Sequence, residues 1–89
     1  LAKSKYIVVV FRSKTQVFAL IDKLNSLGIR AVTTGTPKEA AIGCGLSVKT
    51  DYSRLPVVKN LLRTGYNEGF YAAYSVEIDG LRSTKVKIM

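Results

Sequence analysis

The chain predicts an α+β domain of ferredoxin-like type, a βαββαβ order with two helices on one face of an antiparallel sheet. Three observations carry that prediction. Short runs rich in β-branched and aromatic residues recur along the chain, two of them are followed by a segment with helical spacing of apolar residues, and Asp79-Gly80 adds a hairpin signal near the end.

The first element is the run Lys5-Tyr6-Ile7-Val8-Val9-Val10-Phe11, whose nearly unbroken apolar character suits a central strand covered on both faces. Ser13 stands three residues before Gln16, the spacing of a capping box, and Val17, Leu20, Ile21, Leu24 and Leu27 form the apolar stripe of a first helix. Gly28 stops it. Ile29 to Thr34 alternates apolar and polar residues as a second strand, which Gly35-Thr36-Pro37 ends. Lys38 to Ile42 is long enough for about one helical turn, with Thr36 as its N-cap and Pro37 at the first helical position.

A third strand follows over Leu46 to Thr50. Asp51 or Ser53 caps a second helix, in which Pro56 belongs to the first turn and Leu55, Val58, Leu61 and Leu62 make the apolar face before Gly65. Phe70 to Ile78 has strand composition, and Asp79-Gly80 leads into Leu81 to Met89. The expected organisation is one domain over residues 3–89, with 79–89 as a C-terminal hairpin or edge-strand extension. Such an edge is also where a second copy would pair, so a homodimer is one expectation.

Composition narrows the chemistry. In 89 residues there is one cysteine and no histidine, and hydrophobic residues make up 47%. The missing histidines remove the usual general base, the Cys-His and Ser-His pairings and the commonest metal ligand. Six dispersed carboxylates offer no metal set and no acid–base pair, so neither a metal nor a cofactor is expected. A single thiol excludes an internal disulfide and two-thiol reductase chemistry. Without a signal-peptide pattern or a membrane-length apolar run, the expected location is the cytoplasm, with no membrane partner.

Cys44 is the most specialised position. It lies between Gly43 and Gly45, residues that give no side-chain cover and that favour close approach of another molecule. Lys38 is near enough in sequence to favour a thiolate if the chain folds back. Free cysteines are among the most buried residue types, so inert packing is the competing expectation.

Pro37-Lys38-Glu39, followed at this distance by Cys44-Gly45-Leu46-Ser47 between the first βαβ unit and the second helix, resembles the putative Se/S carrier protein-like family. The resemblance covers about Lys5 to Tyr74. Members usually carry arginine after the proline and small hydroxyl residues before the cysteine, where this chain has Lys38, Ala41 and Gly43. Lys38 keeps the charge without the planar fork of arginine. The resemblance implies a non-enzymatic sulfur or selenium carrier that holds the atom on Cys44 as a persulfide or selenopersulfide. Lys38, Gly43 and Gly45 would serve as the substrate-binding residues.

Charge supports a second class of function. A net charge of +8 with a pI near 9.9 fits docking to acidic donor and acceptor proteins, and it fits nucleic acid equally. Lys49, Arg54, Lys59 and Arg63 are expected around the second helix and Arg82, Lys85 and Lys87 along the last strand, with Tyr66, Phe70, Tyr71 and Tyr74 between them. Exposed tyrosines on such a sheet would stack unpaired bases, so binding of single-stranded RNA is the alternative. By analogy of fold alone, a small-molecule-sensing or dimerisation module is the third.

Overall fold

The computed structural model describes residues 3–40 and 45–89. Its order is β1 (Lys3–Phe11), α1 (Lys14–Ser26), β2 (Ala31–Gly35), a short 3₁₀ turn (Lys38–Ala40), β3 (Leu46–Asp51) and a second 3₁₀ turn (Tyr52–Arg54). There follow α2 (Leu55–Thr64), β4 (Phe70–Asp79) and β5 (Arg82–Lys87). The strands form one antiparallel sheet in the order β2-β3-β1-β4-β5. Its first four strands have the order of the split βαβ arrangement, so the chain is α+β with a ferredoxin-like fold, and β5 adds an edge strand beside β4.

Strand alternation sorts the core into two layers. On one face Ile7, Val9, Phe11 and Val48 pack with Val17, Leu20, Ile21 and Leu24 of α1 and with Val58, Leu61 and Leu62 of α2. Both helices therefore cover the same face. On the other face Val8 and Val10 of β1 meet Ala72, Tyr74 and Val76 of β4, and Ala40 of the first 3₁₀ turn packs against them. The nearly continuous apolar run of β1 follows from this double cover.

The helix ends show how local chemistry sets the boundaries. Gly28 takes a left-handed φ of 79°, its N–H donates to the Asn25 carbonyl at 3.0 Å, and the Ile29 N–H donates to the Leu24 carbonyl at 3.0 Å. This is the Schellman closure. It commits Ile29 to the helix end, so β2 begins at Ala31 rather than at Ile29, and Leu27 becomes a half-exposed cap residue outside the apolar stripe. Ser13 stands at the extended N-cap of α1, but its hydroxyl donates to the Gln16 side-chain oxygen instead of receiving a backbone N–H. The expected capping box is thus a side-chain pair.

At the second helix the Asp51 carboxylate accepts from the Ser53 N–H at 2.9 Å and from the Ser53 hydroxyl. It caps the 3₁₀ turn that leads into α2, with Pro56 in the first turn as the sequence predicts. The hairpin turn lies one residue further along than Asp79-Gly80. Asp79 pairs with Arg82 across the ladder, and Gly80, at φ 63°, and Leu81 make the turn. A register shift between Val10 and Phe11 sets Phe70, rather than Tyr71, opposite Phe11. The two phenyl rings meet edge to face at 6.1 Å on the helical side.

Among the described residues no helix is long and apolar enough to cross a membrane.

Candidate functional site

The sequence places its specialised cysteine in the connection between β2 and β3, and the structure fixes the base of that connection. Gly35 and Leu46 form the last pair of the β2–β3 ladder. Beyond it the Thr36 N–H donates to the Gly45 carbonyl at 3.1 Å, and the Thr36 and Ser47 hydroxyls lie 2.8 Å apart. The two ends of the connection are held together at these contacts.

The first limb of the connection is anchored as well. Pro37 is buried, and the Ala40 N–H donates to the Pro37 carbonyl at 3.0 Å. Ala40 has no exposed surface and packs on the helix-free face of the sheet. The three-residue spacing of Pro37 and Ala40 matches the 3₁₀ period, which stacks both apolar groups on one side. Lys38 and Glu39 fall on the other side and are exposed. Anchoring by Pro37 and Ala40 escaped the sequence reading, although this apolar i, i+3 pair was its available signal.

Gly45 is exposed, and no atom lies within 4 Å of where a side-chain Cβ would stand. Its openness is therefore steric. Gly43 and Cys44, with Ala41 and Ile42, lie outside the described residues. Of the residues singled out by sequence, Lys38 and Gly45 stand on the two limbs of one pinned connection.

The aromatic and basic residues are distributed differently from the sequence expectation. Tyr66 and Phe70 pack against the helical-side core, and Tyr74 is buried at 6% exposure. Tyr71 alone of the four is exposed, with the Arg12 guanidinium 5.6 Å from its ring centre. Lys49 does not lie beside α2. Strand alternation after the core residue Val48 turns it to the helix-free face, where its ammonium sits 4.4 Å from the centre of the Tyr6 ring. Register with Val8 and Tyr74 puts Lys85 and Lys87 of β5 on that same face.

The family model described as Putative Se/S carrier protein-like matches residues 5–78. That span runs from β1 to near the end of β4 and includes the whole β2–β3 connection with Lys38, Gly43, Cys44 and Gly45. The chain belongs to this family. No curated protein and no solved structure gives a match.

Proposed function

We propose that this member of the Se/S carrier protein-like family carries sulfur or selenium on Cys44, as a persulfide or selenopersulfide. The observation that bears most weight is the family match across the cysteine-bearing connection. Two features of the connection support it. Gly45, the neighbour of Cys44, leaves open space on its side of the backbone, and the Thr36–Gly45 closure gives the loop a fixed footing from which to present a thiol.

Uptake needs one thiol. The Cys44 thiolate attacks the outer sulfur of a donor persulfide, a new S–S bond forms as the donor's S–S bond breaks, and the donor thiolate leaves with the electron pair. No external oxidant or reductant is consumed, because the sulfane sulfur keeps its oxidation state. Delivery is the same exchange run onto an acceptor thiolate, and a selenopersulfide donor gives the selenium analogue. Lys38 contributes positive charge beside the loop, and Gly43 and Gly45 provide access. The +8 net charge favours acidic donor and acceptor proteins in the cytoplasm.

The test is to incubate the protein with a cysteine desulfurase, cysteine and pyridoxal phosphate and then to weigh it intact by mass spectrometry. Wild type gains the mass of one sulfur atom and Cys44→Ala gains none. Absence of any adduct on wild type, together with alkylation of Cys44 only after unfolding, overturns the proposal.

A further inference from the structure

At the end of the sheet away from the β2–β3 connection lies an open cleft of about 570 Å³. Arg30, Lys49 and Asp51 supply its charge and Tyr6, Val32 and Ile78 its apolar floor. Lys49 stands four positions beyond Gly45, about 13 Å at about 3.3 Å per strand residue, so the cleft is distinct from the Gly45 end of the cysteine-bearing connection.

Two cations, Arg30 and Lys49, face this cleft, and one carboxylate, Asp51, shares its wall. Lys49 rests on the Tyr6 ring at 4.4 Å, a contact that positions its ammonium but leaves its charge intact, whereas Lys5 turns to the helical face with Ile7 and rests on the Tyr52 ring at 3.9 Å. Arg30 is exposed, and its backbone carbonyl, not its guanidinium, accepts the Thr50 hydroxyl at 2.8 Å. The one carboxylate on the wall, Asp51, takes hydrogen bonds from the N–H and hydroxyl of Ser53 and keeps its negative charge, so two cations face one anion. Lining charges therefore sum to a surplus of positive charge in a concave site, where the field on an incoming anion is focused.

The rest of the wall says what sort of anion. Val32 is 42% exposed, and Tyr6 and Ile78 are half-buried beside it, an apolar floor that a bare inorganic ion has no use for. The volume falls in the range of small-molecule sites, and two cations side by side can each take an oxygen of one phosphate group. We infer that the cleft binds a ring-bearing phosphate monoester of nucleotide size, its phosphate held by Arg30 and Lys49 and its ring laid on Val32, Ile78 and Tyr6. The same chemistry has two sources, a free nucleoside monophosphate and the 5′-phosphorylated end of a single strand.

The experiment is an NMR titration of the full chain with adenosine monophosphate, adenosine, inorganic phosphate and a short oligonucleotide with and without a 5′-phosphate. Adenosine monophosphate shifts the amide signals of Val32, Lys49 and Ile78, and its affinity falls as salt is raised. Adenosine and inorganic phosphate each bind more weakly. Arg30→Gln and Lys49→Gln each weaken binding about tenfold, the loss expected for one charge-assisted hydrogen bond. Arg30→Gln spares the backbone carbonyl that Thr50 uses, so its fold is preserved. Tighter binding of the 5′-phosphorylated oligonucleotide than of the nucleotide assigns the source to a strand end, and the reverse assigns it to a free nucleotide. Unmoved cleft signals at millimolar nucleotide, or unchanged affinity in both variants, overturn the inference. No sulfur donor is present, so failure here leaves the carrier proposal untouched.

Discussion

At the scale of single residues, Asp51 shows how one side chain serves local structure and pH response together. Its hydrogen bonds from the Ser53 hydroxyl and N–H hold its carboxyl below the ordinary value of 3.8, and the charge of Arg54 adds to this. The sign follows from linkage. A carboxyl whose folded pKa is depressed contributes stability that is fully present above its unfolded value and is lost as pH falls through the folded value. Asp51→Asn is therefore expected to flatten the part of the acid-unfolding curve below about pH 4. Urea midpoints measured along a pH series check this, and parallel curves for variant and wild type would contradict it. Gly45 teaches a different lesson. Its presence beside the cysteine was legible, but the open space around it was not, because that depends on which residues the fold brings near.

At the scale of elements, the strands and helices were legible where the apolar period is long and uninterrupted, as in β1 and α1. Boundaries moved where backbone hydrogen bonds decided them. The Ile29 N–H serves the end of α1, and Asp79 extends β4 by one ladder pair, facts that composition does not encode. The first 3₁₀ turn was expected, but its packing on the sheet was not, since the cluster that Ala40 joins with Val8, Val10, Ala72, Tyr74 and Val76 draws on residues far apart in sequence. That contact yields a prediction about how the connection is held. Ala40→Leu should cost about 1–3 kcal/mol by overpacking a site with no free surface. Thermal or urea unfolding measures the loss, and a neutral effect would mean that the turn is not seated on the sheet.

At the scale of the whole molecule, the fold places the cysteine-bearing connection and the cationic cleft at opposite ends of β3. The cysteine-bearing connection leaves the end formed by Gly35 and Leu46, and the cationic cleft occupies the end formed by Arg30, Lys49 and Asp51. Charge alone was visible in the sequence as a total of +8, and the register of β1 with β3 gathers part of it into one concave place. The strand β5 lies beyond the matched residues 5–78 and extends the helix-free face with Lys85 and Lys87. Long side chains of this kind on an exposed edge strand also discourage edge-to-edge pairing.

The central claim is carriage, which requires release as well as uptake. The direct measurement loads the protein with isotopically labelled sulfur from a persulfide donor, removes the donor, and then adds an acceptor thiol. The account predicts one labelled sulfur per chain, located on Cys44, leaving with the acceptor while the free thiol returns in equal amount. Label that never loads, that loads equally on Cys44→Ala, or that stays on the protein when the acceptor is added would contradict it.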